Sequence, residues 1–423
     1  MKKSVKKVAL VSLALISTGL TSSAFAQQKT QIEFWTWYLS PKFDNFIKGV
    51  IADFEKQNPN ITVKWLDKQD TIERDFQATI ALGQAPDVVN LWNDSTAAAV
   101  QNNLLVPITD LTPLSTLNRL YYSNVLNIFK HDSKFYGYPW YGYVDQGVMM
   151  YNSELLQKAG VSISRIRTLD DLLNASKTIK DKTGAYGWLP PVSDPNGASF
   201  LAYFYLDGLP ITNASGQAVF NSPTHAALLQ KYVDLMKGDY IPQDLLRKEA
   251  FQVTNELYSQ GKVAFMVGGP QSLNRVRDSN KDIYSKTKIT SAPLGKAKVQ
   301  TGGAFSLVIP RASKHQKEAA LFALFMTNNV NQVKFANVVP IVPTTKAAKN
   351  DPSFKTTSQD PIEIATARVA GTGGLINPGF ASPKNTDVVY KNFNDNIQAA
   401  FLGRKTAQQA LNDAVTFWNA NAK

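Results

Sequence analysis

Three strand-like runs separated by two amphipathic stretches, all between Ile32 and Trp92, restrict the fold of this chain more than any other feature. Ile32-Glu33-Phe34-Trp35-Thr36-Trp37 alternates and is rich in aromatics, as a half-buried strand is. Phe43, Phe46, Ile47, Val50, Ile51 and Phe54 then recur at helical spacing until Asn58-Pro59-Asn60 stops them. Ile61 to Trp65 predicts a second strand, Ile72 to Leu82 a second helix, and Asp87 to Trp92 a third strand. Connections this short favour a parallel sheet covered by helices on both faces. Such α/β sheets hold ligands at the carboxyl ends of their strands.

Beyond this run the pattern changes. Gly137-Tyr138-Pro139-Trp140-Tyr141 reads as a turn-rich aromatic segment without clear periodicity. Val148 to Asn152 predicts a strand, with Ser153 as N-cap of a helix over Glu154 to Ala159 and Gly160 as its terminator. Thr168-Leu169-Asp170-Asp171 resembles a capping box opening a helix to Lys180. Tyr186 to Leu189 leads into a Pro/Gly/Asp loop up to Gly197, followed by an aromatic helix over Phe200 to Leu206. Val263 to Pro270 predicts a strand ending in a glycine turn, and Thr301 to Ile309 another strand. Helices follow at Gln316 to Met326, Val388 to Phe401 and Thr406 to Trp418.

The N-terminus reads as an export signal. Lys2, Lys3, Lys6 and Lys7 precede a short apolar stretch, Val8 to Leu20, and Ala24-Phe25-Ala26 has the small-x-small pattern of a cleavage site. Cleavage after Ala26 starts the mature chain at Gln27, and the apolar stretch falls short of the roughly 20 residues that span a bilayer. The chain has no cysteine, hence no lipid on an N-terminal Cys, no disulfide and no thiolate metal site. Setting the four leader lysines aside leaves 41 basic against 33 acidic side chains, a net +8. That excess is spread among Asp and Asn rather than gathered on a stripe, so nucleic acid is not an expected partner. An aromatic content of 11% with seven Trp points instead to a ligand surface.

Signatures of catalysis are missing: there is no Gly-x-Ser-x-Gly elbow, no His-Glu-x-x-His and no Walker loop. His131, His225 and His315 are isolated in polar surroundings and are expected on the surface. No cofactor or metal is expected. A glycoside hydrolase needs only two opposed carboxylates, which no sequence pattern excludes.

Several segments together resemble the solute-binding proteins of bacterial ATP-binding-cassette importers, in particular their sugar-binding group. They are Phe54 to Val63, Ala81 to Val89, Met150-Tyr151-Asn152 with Leu155 to Val161, Gln260 to Phe265, Ser313 to Ala320 and Ala410 to Ala414. The resemblance implies a two-lobed α/β periplasmic binding protein fold of type II, with a ligand cleft between lobes joined by a multi-strand hinge. It places the first crossing near Gly137 to Tyr141, the second near Val299 to Gly303 and the third near Val342. The lobes are then 27–139 with 302–342, and 140–301 with 343–423. It further implies a sugar ligand, delivery to an inner-membrane permease, a monomer and a periplasmic location. Other solutes, such as a polyamine, a glycerol phosphate or a peptide, remain alternatives at this stage.

Sugars present hydroxyls for paired polar groups and ring faces for aromatics. By the resemblance, Asp94 and Asp145 occupy the places of carboxylates that clasp adjacent hydroxyls. Trp92 and Asn90 surround the same strand end as Asp94; Trp37 and Tyr38 close the first strand, and Gln69 and Asp70 follow the second. Tyr141 and Tyr143 lie beside the expected hinge with Gly303, Trp188 leads into the Pro-rich loop that carries Asp194, and Gly269 follows its strand. Gln271 stands where many relatives carry a stacking Trp, which implies a different or smaller ligand. Phe380 and Asn385 lie in the region that supplies another aromatic platform. Tyr121-Tyr122 resembles the paired tyrosines of iron-binding relatives, but its surroundings read as a helix face, so iron is not expected.

Overall fold

The computed structural model describes residues 29–422 except 193–197, 214, 381, 382 and 384. The leader with its cleavage site, Asp194 and the Asp70 side chain fall outside what is described. Strands Thr30–Thr36, Ile61–Asp67 and Val88–Trp92 form as the alternation predicts, and Thr30–Thr36 pairs in parallel with both others. The sheet then continues antiparallel through Gln300–Val308, Tyr138–Val144 and Val342–Pro343, with Ile376–Asn377 beside the start of Gln300–Val308. It is therefore mixed rather than wholly parallel: Gln300–Val308 and Val342–Pro343 run against the first three strands, while Tyr138–Val144 runs with them.

Alternation decides which residues face which side of this sheet. Ile32, Phe34, Val88 and Leu307 pack with Ile47, Phe54 and Phe322 of the covering helices. Trp35, Val89, Leu91 and Val308 face the other way, onto Ile72, Phe76 and Ala99. Both faces are thus covered, so a ligand belonging to this sheet meets it at the strand ends.

The segment from Gly137 to Tyr141 is not a turn. Tyr138–Val144 is a central strand with Tyr138, Trp140 and Tyr141 buried. A strand buried on both faces loses the alternation by which a strand is recognised. The pairing also shifts: Tyr141 opposes Phe305 and Pro139 opposes Ser306, so Trp140 sits in a bulge. Pro139 has no N–H to lose there, and its carbonyl accepts from Gln332 Nε2 at 3.1 Å and Thr344 Oγ1 at 2.9 Å.

A second sheet orders Thr287–Ser291, Val148–Asn152, Val263–Gly268 and Tyr186–Trp188, the last pair parallel. Its core includes Leu172, Phe200, Tyr232 and Trp418 from the surrounding helices. Helix Leu169–Thr183 opens with the expected capping box of Thr168 and Asp171. Asn152, not Ser153, caps helix Ser153–Ala159: its Oδ1 accepts from the main-chain N–H of Glu154 at 3.0 Å and of Leu155 at 3.2 Å. Ser153 Oγ instead donates to the Lys286 carbonyl at 2.7 Å. Tyr121 is buried with its hydroxyl 2.6 Å from Thr327 Oγ1, while Tyr122 packs beside Gly373 and Gly374, so the two do not present a joint site.

His225 also departs from expectation, for it is buried. Its Nδ1 lies 2.6 Å from Ser222 Oγ and its Nε2 3.0 Å from the Pro210 carbonyl. Loss of hydration holds its pKa below the ordinary 6.5, the Pro210 bond partly opposing that. As pH falls, the unfolded chain takes up the proton first. The neutral ring's contribution is full above pH 6.5 and is lost as pH falls from there through the folded-state value. The urea midpoint is expected to drop over this window, and His225→Gln to flatten the drop; an equal drop in the variant contradicts the assignment.

Candidate functional site

Chain direction brings the carboxyl ends of both sheets to one place. Thr30–Thr36 runs into Trp37 and Tyr38, and Val88–Trp92 into the first turn of helix Asn93–Gln101. From the second sheet, Tyr186–Trp188 and Val263–Gly268 end at Leu189 and Gly269. Tyr143 and Asp145 lie where strand Tyr138–Val144 leaves the large sheet.

Four adjoining cavities occupy this junction. One of about 370 Å³ is lined by Trp92, Asn93, Asp94, Tyr143, Asp145, Thr301 and Phe380. Trp92 separates it from a cavity of about 550 Å³ against Trp37, Tyr38, Glu73, Asn90 and Phe305. Asp145 borders two more: about 250 Å³ beside Trp188, Tyr203, Glu249 and Asn255, and about 370 Å³ beside Gly269, Gln271 and Pro340. Shared walls make these one cleft bounded by both sheets.

Flat side chains form its first wall. Trp92 stacks on Tyr143 with centroids 5.0 Å apart and planes 15° from parallel. Phe305 stands 4.8 Å from Trp92 and 5.4 Å from Trp37, and Tyr38 packs edge-on to Trp37 at 5.3 Å. Trp37 is 38% exposed, Tyr38 52% and Tyr143 43%, costly for large aromatics unless a ligand covers them. Gly303 makes room for this wall: a Cβ there would come within 2.4 Å of the Trp92 ring and 2.6 Å of Asn93 Oδ1.

Carboxylates sit among the rings. Asp94 Oδ1 accepts from Asn93 Nδ2 at 2.7 Å. Asp145 reaches solvent, yet the surrounding walls strip enough hydration to push its carboxyl above the ordinary 3.8, a hydrogen bond from Thr301 partly offsetting this. Loss of hydration likewise pushes the Tyr143 phenol well above its usual range, helped by the charges of Asp145 and Asp94. The arrangement offers stacking surfaces and hydrogen-bond acceptors. Among the described residues no group of three or more His, Asp and Glu is placed to hold a metal ion.

The sequence pattern of the family described as bacterial extracellular solute-binding protein matches residues 49–362. This chain belongs to that family. Relatives of this solute-binding protein include the galactooligosaccharide-binding protein of Bacillus subtilis (strain 168), 24% identical with 96% of this chain and 93% of the relative covered. Among solved structures, a candidate oligosaccharide periplasmic-binding protein from Synechococcus sp. MITs9220 superposes with TM-score 0.75 at 25% identity, covering 92% of this chain and 98% of that one. A cyclo/maltodextrin-binding protein complexed with maltotetraose gives TM-score 0.73 at 20% identity, covering 93% and 97%. The fold is thus the two-lobed α/β fold of periplasmic solute-binding proteins. Family members are binding proteins rather than enzymes, and no described helix of this chain is long and apolar enough to cross a membrane.

Not every residue singled out from the sequence lines the cleft of this solute-binding protein. Trp37, Tyr38, Asn90, Trp92, Asp94, Tyr143, Asp145, Trp188, Gly269, Gln271 and Phe380 do. Tyr141 is instead a core residue: it shares its strand face with Tyr143 but lies two residues back from the strand end, stacked on Phe305 at 4.7 Å and edge-on to Phe335 at 5.4 Å. Gln69 donates to the Ser40 carbonyl at 3.1 Å and to Asp67, tying down its own turn. Asn385, with φ 54°, donates to the Asn421 carbonyl at 2.9 Å and so joins two helices at the C-terminus. Gly303 acts from beneath Trp92 and lines none of these cavities. Sequence reasoning missed Glu73, Asn93, Thr301, Phe305, Glu249 and Asn255. Asn93 adjoins Trp92 and Asp94, and Thr301 lies two residues before Gly303; Glu249 and Asn255 reach the cleft only through tertiary packing.

Proposed function

We propose that this solute-binding protein is the capturing component of an ATP-binding-cassette importer and that its solute is an oligosaccharide. The carrying observation is the Trp92–Tyr143 pair flanked by Asp94 and Asp145 in a cleft between the two sheets. Aromatic faces take the apolar faces of sugar rings, and carboxylates accept hydrogen bonds from adjacent hydroxyls. The relative in Bacillus subtilis named for galactooligosaccharides supports the same class of ligand. The lobes are 27–139 with 302–342 and 140–301 with 343–423. Strands Tyr138–Val144 and Gln300–Val308, which end and begin side by side at Asp145 and Gln300, support two crossings within a few residues of these bounds. Rotation there closes one lobe over a ligand held by the other. The protein acts as a monomer in the periplasm, freed of its leader after Ala26, and hands the sugar to a membrane permease.

A thermal-shift screen over mono- and oligosaccharides tests this reading. A ligand at a hundred times its Kd is expected to add about 2.7 kcal/mol of stability and to be recovered unchanged. No shift with any sugar contradicts the sugar assignment, and consumption of the sugar contradicts the role as a binding protein.

A further inference from the structure

Charge is unevenly distributed between the cleft and the rest of the molecule. The chain carries 45 Lys and Arg against 33 Asp and Glu, yet among the described residues the charged side chains lining the four cavities are Glu73, Asp94, Asp145 and Glu249. None of these four lies within 4.0 Å of a cationic group among the described residues. Outside the cleft, carboxylates such as Glu33, Asp75, Glu154 and Asp207 do have ion-pair partners.

Two buried amides repeat the pattern independently. Asn90, 1% exposed, shares a cavity with Glu73; Asn255, 5% exposed, shares one with Asp145 and Glu249. Each spends its Nδ2 on a main-chain carbonyl, that of Ser306 at 3.3 Å and that of Phe251 at 2.7 Å. Each is left with an Oδ1 that accepts nothing. Buried acceptors without donors are costly, and a donor-rich ligand removes that cost.

We propose that the cleft selects its sugar by charge, taking an oligosaccharide with protonated amino groups ahead of the same oligosaccharide with hydroxyls and refusing its acidic counterpart. This rests on the sugar reading above. A hydroxyl donates one hydrogen bond and leaves the carboxylates uncompensated, whereas an ammonium brings three donors and the opposite charge. A uronic acid or a sulfated sugar brings more acceptors and a like charge into a cleft whose low-dielectric walls concentrate the field.

Isothermal titration of the mature protein with matched sets decides the matter. Each set shares ring and linkage and differs in one group: neutral, amino and uronic-acid oligomers of glucose and of galactose, with spermidine as a non-sugar amine. The amino member is expected to bind about tenfold tighter than the neutral one at low ionic strength, with the advantage shrinking in high salt. The acidic member is expected not to bind. In the double variant Asp145→Asn with Glu249→Gln, the ratio of amino to neutral affinity is expected to collapse toward one. Equal binding of the acidic member, no gain from the amine, or a ratio unchanged in the double variant overturns the proposal. If no sugar of any set binds, whether or not spermidine does, the sugar reading itself fails and this inference with it.

Discussion

Trp92→Ala is expected to weaken sugar binding by about 2–4 kcal/mol, the range of a central aromatic anchor in a binding site. Trp92 is the wall common to two cavities, stacks on Tyr143 at 5.0 Å and meets Phe305 at 4.8 Å. Removing the indole takes away a stacking face and the neighbour that holds Tyr143 in place. Calorimetric titration of the variant against the tightest sugar from the thermal-shift screen checks this, with circular dichroism showing that the fold persists. Native affinity in a folded variant would remove Trp92 from the site.

The largest loss of stability is expected from Trp140→Ala, about 3–5 kcal/mol for a fully buried tryptophan. Its ring packs against Phe34 at 6.1 Å and Phe335 at 5.7 Å, and its strand is the one that carries Tyr143 and Asp145 toward the cleft. Urea denaturation followed by fluorescence is expected to show a much lower midpoint for the part of the molecule built on the large sheet. A midpoint equal to that of the native protein would show that the bulge tolerates an empty core position.

Local rules carried a long way in this chain. Thr168 and Asp171 form their capping box, Gly160 ends its helix with φ 67°, and helix Gln316–Met326 starts and stops where its apolar spacing does. These features depend on neighbours within about one turn, so they are visible as sequence. Tyr138–Val144 was not, because its identity as a strand comes from Gln300–Val308 and Val342–Pro343, far along the chain. Asn385 and Tyr141 failed for a related reason: each lies near the expected region of the chain, but Asn385 is tied to the Asn421 carbonyl and Tyr141 is covered by packing against Phe305.

The sequence by itself determined the class of architecture, the family, and the strand ends at Trp37, Trp92 and Gly269 that open into the cleft. It could do so because hydrophobic period and strand direction follow from adjacent residues, and strand direction decides which end of a sheet is open. Only the tertiary structure decided which side chains share the cleft. Trp92 meets Tyr143 through the pairing of three strands, and Glu249 and Asn255 join Asp145 through the packing of a helix that begins about a hundred residues later. Contacts of that range are set by how whole layers pack, which no local stretch of sequence specifies.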